Sequence, residues 1–210
     1  PGRSQDTLRR AFLRDAVVIM DEPQIFSPEV WNVFLCGLES LASIANLKVI
    51  FLSATMPPFH LGLKKTPHSL QIMGSPGNDR YELEITEEMD EVSLATFVQD
   101  NERATQAAIL NTIEDAYRVF KNTDETKNKY LLHGMMTPLH KKVLIDKIRH
   151  ALEERKDTPL YIISTQVLEA GVDVSFKNVF RALPILPSLV QAAGRVNRHQ
   201  EGKEKGKIYT

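Results

Sequence analysis

Short, nearly unbroken apolar runs, each handing over to a helix pattern, constrain this chain more than any other feature. Ala16-Val17-Val18-Ile19-Met20, Lys48-Val49-Ile50-Phe51-Leu52, Ala107-Ala108-Ile109-Leu110, Tyr130-Leu131-Leu132, Leu160-Tyr161-Ile162-Ile163 and Val179-Phe180-Arg181-Ala182 are of strand length. Continuous runs lack the in–out alternation of a half-solvated sheet and mark strands covered on both faces. Between them lie helix signals. Ser27-Pro28-Glu29 places an N-cap serine before a proline at the first helical position, and predicts a helix to about Ala45. Ser4 to Arg14, Glu91 to Gln99, Thr112 to Lys121 and Pro138 to Glu154 also read as helices, and Tyr81 to Thr86 alternates like a strand. Strand–helix alternation of this kind predicts right-handed βαβ units on a parallel sheet, an α/β fold.

The 210 residues suffice for one large domain or two small ones. Prolines at 57, 58, 67 and 76 and glycines at 62, 74 and 77 change the texture between 57 and 80. Ser75-Pro76-Gly77-Asn78 is the best linker, so the expected parts are residues 1–76 and 79–210. A formal net charge of −1 excludes a wholesale basic protein. Contact with nucleic acid must then come from local patches. The lone Cys36 excludes an intrachain disulfide and a cysteine metal cluster, which suits a reducing cytoplasm. No apolar run approaches membrane-span length, and no signal peptide is visible. The chain starts at Pro1 without Met, and is expected to be a piece of a longer protein.

Chemistry gathers where strands end. In open α/β sheets ligands sit beyond the carboxyl ends of the strands. Asp21-Glu22 ends the first run; there an Asp can hold Mg²⁺ and a Glu can orient water, although acids at strand ends are also common without a role. Ser53-Ala54-Thr55 ends the second run, where hydroxyls could bond to the neighbouring acids or simply make a turn. Ser164-Thr165 stands where a strand gives way to a short helix, a ready anion site or merely a well-capped helix. Gly171 would end that helix and present Asp173 on a loop. Read as one helix, Gln191 to Arg198 places Gln191, Arg195 and Arg198 on a single face. Two guanidiniums and an amide suit phosphate oxygens, and Gly194 within that helix would allow close backbone approach. A solvated basic helix end is the plain alternative. The histidines at 60, 68, 133, 140, 150 and 199 show no metal-ligand spacing.

Asp21-Glu22, Ser53-Ala54-Thr55, Ser164-Thr165 through Gly171 and Asp173, and Gln191 through Gly194, Arg195 and Arg198 occur in the order of motifs II, III, V and VI of superfamily-2 helicases. Ser53-Ala54-Thr55-Met56-Pro57, Glu169-Ala170-Gly171-Val172-Asp173 and Ala193-Gly194-Arg195-Val196-Asn197-Arg198 most resemble the CRISPR-associated helicase-nuclease of type I interference systems. Asn111-Thr112 resembles that family's motif IV, and Leu131-Leu132-His133 the segment after it. The resemblance spans about residues 15 to 200. It implies a RecA-like second domain, preceded by the C-terminal part of a first one. It further implies ATP and Mg²⁺ as ligands, and ATP-driven 3′-to-5′ translocation on single-stranded DNA beside a CRISPR effector complex. By the same resemblance Asp21 would ligate Mg²⁺ and Glu22 activate water; Gln24, Ser53 and Thr55 would couple hydrolysis to movement. Asn111, Thr112 and Thr165 would touch the DNA backbone, and Gly171 and Asp173 the ribose. Gln191, Arg195 and Arg198 would face the phosphates, with Arg198 as arginine finger.

Two departures stand out. Gln24 occupies a position where the family usually has His; it can still donate and accept a hydrogen bond. No phosphate-binding loop occurs: a P-loop needs Gly-x-x-x-x-Gly-Lys-Ser/Thr. Gly202-Lys203-Glu204-Lys205-Gly206-Lys207-Ile208 has its glycines one residue too close and no hydroxyl, and reads as a charged surface turn. No His-Asp dipeptide occurs either, so the family's nuclease half is expected elsewhere. The chain alone is therefore expected to be inactive, and its first part to self-associate through unpaired strands. A superfamily-2 motor acting on RNA or duplex DNA and a non-catalytic interaction module are the alternative readings.

Overall fold

The computed structural model describes residues 12–23, 26–53, 62–64, 80–100, 105–125, 128–154, 159–169, 172, 174–198 and 204–210. They fall into two compact units, Pro1–Met73 and Gly74–Thr210. The helix expected over Ser4 to Arg14 lies almost wholly outside the described residues.

In the first unit β1 (Val17–Asp21) and β2 (Lys48–Leu52) pair in parallel, Val17 opposite Lys48 and Asp21 opposite Leu52. The crossover is α1 (Pro28–Ala45), entered through Ser27 and left through Asn46, whose φ of 52° is the left-handed C-terminal turn. Trp31 and Leu35 are buried, and Trp31 meets Phe51 edge-on with ring centroids 5.8 Å apart. This helix covers one face only. Val17, Ile19, Ile50 and Leu52 stay exposed, so the expectation that these two strands are buried on both faces does not hold. Among the described residues nothing in this unit lies on their other face, and the runs keep the composition of buried strands without the cover.

The second unit carries a six-stranded, all-parallel sheet in the order β3-β8-β7-β4-β6-β5. The strands are β3 (Tyr81–Glu84), β4 (Gln106–Ile109), β5 (Asn128–Leu132), β6 (Leu160–Ser164), β7 (Asn178–Arg181) and β8 (Gly206–Tyr209). The helices are α2 (Glu91–Gln99), α3 (Ile113–Asn122), α4 (Pro138–Glu154) and α5 (Leu186–Ala193). Here the apolar runs do what their continuity implies, because β4 and β6 are buried throughout. Alternate residues serve opposite faces. Ala107, Ile109, Leu160 and Ile162 join Ile148, Leu168, Ala192 and Val196 in one core. Ala108, Leu110, Tyr161 and Ile163 join Leu94, Ala95, Val98, Ala116 and Val119 in the other.

Caps set where the helices on the second face begin. Asp90 accepts a bond from Ser93 N at 2.7 Å to start α2, and Thr112 Oγ1 accepts from Asp115 N at 3.1 Å to start α3. The bond from Ser93 N holds the exposed Asp90 carboxyl below its usual range.

Two sequence expectations fail in this unit. Gly206–Tyr209 is not part of a surface turn but an inner strand between β3 and β7, with Ile208 in the core. Lys207 in this strand and Lys205 just before it lie beside Glu84 and Glu82 of the edge strand at 3.1 and 3.5 Å, so charge at the rim disguised the strand. The helix expected to run through Arg198 stops at Ala193. Gly194 caps it, and Val196 forms a parallel bridge with Phe176. Gln191, Arg195 and Arg198 therefore do not share one helical face.

Candidate functional site

Because every strand of the second unit points the same way, its carboxyl ends form one rim. Ile109 lies opposite both Ser164 and Arg181, and Leu132 opposite Ser164. The residues that follow these positions, Asn111, Thr112, His133 and Thr165, are carried to that rim together. A rim of this kind is where an α/β sheet offers a ligand its loops and helix starts.

The Ser164 hydroxyl and the Thr165 N–H at the end of β6 are spent inside the protein. Thr165 N donates to Leu132 O at 3.1 Å, and Ser164 Oγ lies 2.8 Å from the carbonyls of both Leu132 and Thr165. The helix that follows is a three-residue 3₁₀ turn, Gln166–Leu168, too short to carry a useful dipole. Thr112 is occupied as the cap of α3. Asn111 accepts a 2.7 Å bond from Arg181 Nη1. Gly171 and Asp173 lie outside the described residues.

The residue that organises this rim is one the sequence does not single out. Arg181, at the end of β7, is 1% exposed. Its Nε is 2.6 Å from Glu169 Oε1 and 2.9 Å from Ser188 Oγ, and Ser188 Oγ donates to the same Glu169 oxygen at 2.7 Å. Its Nη1 also reaches the Ala182 and Ile109 carbonyls, at 2.5 and 3.5 Å. A buried charge is tolerable only when paired and bonded in this way. The signal that could have found it was an arginine interrupting an otherwise apolar buried strand.

Glu169 belongs to both groups of arginine contacts. Its carboxylate takes Arg181, while its backbone carbonyl takes Arg195 Nη2 at 2.8 Å. Phe176 N donates to Arg195 O at 2.9 Å and Asn197 N to Phe176 O at 2.8 Å, so residues 195–197 are laced to the segment ahead of β7. Arg198 is exposed; its backbone N donates to Ser175 Oγ at 3.0 Å, and its carbonyl accepts Arg80 Nη1 at 3.4 Å. Gln191 lies partly buried in α5.

In the first unit Asp21 and Glu22 stand exposed at the end of β1. Glu22 has φ of 53°, an uncommon conformation for a residue with a side chain. Its N donates to Leu52 O at 2.9 Å, and Ser53 Oγ lies 3.5 Å from Glu22 Oε2. Gln24 and Thr55 lie outside the described residues. Among the described residues no group of three or more His, Cys, Asp or Glu is arranged to hold a metal by itself. Mg²⁺ carried by phosphates asks the protein for only one or two carboxylates. Exposed Asp21 supplies that much, so the donor set fits a phosphate-borne Mg²⁺ and not a protein cage.

Residues 102–201 match the family described as CRISPR-associated nuclease/helicase Cas3, C-terminal. A CRISPR-associated nuclease/helicase Cas3 from Methanothermobacter thermautotrophicus is 23% identical over 212 residues, which covers 89% of this chain and 24% of that protein. The Haloferax volcanii protein of the same description is 44% identical over 78 residues, 37% of this chain and 8% of its own length. The crystal structure of T. fusca Cas3 superposes with a TM-score of 0.74 at 16% identity, over 92% of this chain and 29% of that one. S. cerevisiae Dbp5 bound to RNA and ADP BeF3 gives 0.63 at 17% identity, over 100% and 57%. These likenesses establish the RecA-like α/β fold. The chain spans about a quarter of the length of the Methanothermobacter relative. Among the described residues no helix is long and apolar enough to cross a membrane. With its motifs in helicase order and its rim of parallel strand ends, the chain resembles the helicase part of the CRISPR-associated Cas3 nuclease/helicases, most directly over residues 102–201.

Proposed function

We propose that this chain is the part of an ATP-driven single-stranded DNA translocase that spans the end of the first RecA-like domain and most of the second. It would act in the cytoplasm beside a CRISPR effector complex during type I target degradation. The observation that carries this reading is the tie between Arg195 and the Glu169 carbonyl, across 26 residues of chain. It joins the family's fifth and sixth motifs into one unit at the sheet rim. Asp21 would hold Mg²⁺, which neutralises charge on the phosphates when bound. Glu22, turned back toward Ser53, would orient water. Arg195 and Arg198 would bond to phosphate oxygens, with Gln191 beside them, and Gly171 and Asp173 would meet the ribose. Asn111, Thr112 and Thr165 sit on the strand-bearing rim, where a DNA backbone would run. Of the three, Asn111 and Thr112 already spend a side-chain acceptor inside the protein. Gln24, Ser53 and Thr55 would pass hydrolysis on to movement.

The test is the ATPase of the longer protein that carries this segment, measured with single-stranded DNA, duplex DNA and RNA. Strong stimulation by single-stranded DNA alone is expected. Equal or better stimulation by RNA or by duplex would assign the segment to a different superfamily-2 motor. No ATPase with any nucleic acid would leave an interaction module.

A further inference from the structure

We propose that Arg181 is a positioning residue for Arg195, acting through Glu169; the functional consequence rests on the nucleotide role given to Arg195 above. Glu169 stands between the two arginines. Its carboxylate is clamped by Arg181 Nε at 2.6 Å and by Ser188 Oγ at 2.7 Å. Its backbone carbonyl receives Arg195 Nη2 at 2.8 Å. Rotating the Glu169 carboxylate out of the clamp moves the residue whose carbonyl steers Arg195.

The clamp reaches every element that meets at this corner. Arg181 is the last residue of β7. Ser188 lies in α5, whose C-terminal end leads into Arg195. Nη1 bonds to Asn111 Oδ1 and to the Ile109 carbonyl, which fixes the loop after β4. Glu169 closes the 3₁₀ turn through its N–H to Gln166 O at 3.0 Å. The side chains of Arg181 and Glu169 are 2% and 6% exposed, so water does not compete for these bonds.

Arginine is required for geometric reasons. A planar guanidinium presents several donors in fixed directions, whereas an ammonium is a point charge on a flexible stem. Here Nε serves the Glu169–Ser188 side while Nη1 serves the Asn111–Ile109 side. Lysine at 181 can keep the charge but cannot serve both sides at once. Purely structural support would be indifferent to where Arg195 points, and that difference is measurable.

The experiment has two arms. In the first, the 210-residue chain is labelled with ¹⁵N, and the Arg195 guanidinium signal is assigned by its loss in Arg195→Lys. In wild type the signal should show slow exchange and restricted rotation. Arg181→Lys, and the apolar pair Arg181→Met with Glu169→Leu, should leave the sheet amides in place and release it. The pair replacement guards against unfolding, because a buried ion pair exchanged whole for apolar residues often keeps the fold. A restricted Arg195 signal in either folded variant overturns the proposal. In the second arm, ATPase is measured in the longer protein. Arg181→Lys should lower kcat on the order of 10²-fold, the scale of a small misplacement of a reacting group. KM for ATP should change little. Added to Arg195→Ala, it should cost nothing further, since both changes remove the same interaction. Independent, multiplying losses overturn the proposal. A wild-type protein without ATPase refutes the nucleotide reading instead, and the spectroscopic arm then decides the positioning alone.

Discussion

At the scale of single residues, the two arginines of the last motif have different surroundings. Arg195 is partly buried and bonded to a backbone carbonyl, whereas Arg198 is exposed, with its main chain held by Ser175 and Arg80. The finger role proposed for Arg198 predicts that in the longer protein Arg198→Ala lowers kcat for ATP by about 10³-fold, the scale set by arginine fingers, with much less effect on binding. An activity within a few-fold of wild type would remove Arg198 from the finger's role. Glu22→Gln should retain Mg-ATP binding and lose turnover, because the proposed metal ligand Asp21 remains while the proposed base is gone. Turnover at the wild-type rate would take the water-activating role from Glu22. Arg181 was not legible as part of the site. It stands in an apolar stretch that reads as ordinary strand, and its partners, Glu169 and Ser188, are 12 and 7 residues away in the chain. Only the fold brings them together.

At the scale of elements, legibility tracks burial. The helix starts after Ser27, Asp90 and Thr112 and the runs of β4, β6 and β7 were readable because helix-start residues and apolar continuity agree with the tertiary fold, although Ser27 itself makes no side-chain capping bond. β8 was not. Its four residues carry one lysine and follow a charged segment, and its burial comes from sitting between β3 and β7, not from its own pattern. Gly206 shows how tightly it sits. A Cβ there would run into Val196 Cγ1 and come within 2.5 Å of the Lys177 carbonyl, closer than real contacts allow. Backbone cannot swing aside as a side-chain tip can. Gly206→Val should therefore lower stability of the second unit by about 1–3 kcal/mol, the usual penalty of overpacking. Urea denaturation reads this directly, and an unchanged midpoint would mean that β8 is not held where Gly206 places it. The end of α5 was misread for the opposite reason. Arginines at helical spacing suggested continuation, but Val196 is needed in the core opposite Phe176, and a bridge there forbids another helical turn.

At the scale of the whole molecule, the two units differ in how far they can stand alone. The second has a six-stranded sheet covered on both faces by two separate cores. Among its described residues the first has a two-stranded parallel sheet packed with α1, and Val17 and Ile19 remain 57% and 62% exposed. Two strands are marginal by themselves in water, and three or more with a covered face are generally needed. Unfolding should therefore take two steps. In hydrogen exchange the amides of β1 and β2 should lose protection well before those of β4 and β6. Apolar strand edges of this kind also invite pairing between copies, so sedimentation should show association that grows with concentration. A single cooperative transition in a strict monomer would refute both statements. The same incompleteness governs nucleotide. Asp21 and Glu22 offer carboxylates, and the second unit offers arginines, but no Gly-x-x-x-x-Gly-Lys-Ser/Thr stretch occurs in these 210 residues. That loop would supply the backbone donors that cradle the phosphates. Without it the two acids face a polyanion with like charge. The chain by itself should bind labelled ATP no more tightly than unrelated protein and should show no Mg²⁺-dependent hydrolysis. Micromolar binding with turnover would mean that the phosphates are held by a site other than the one proposed for these motifs.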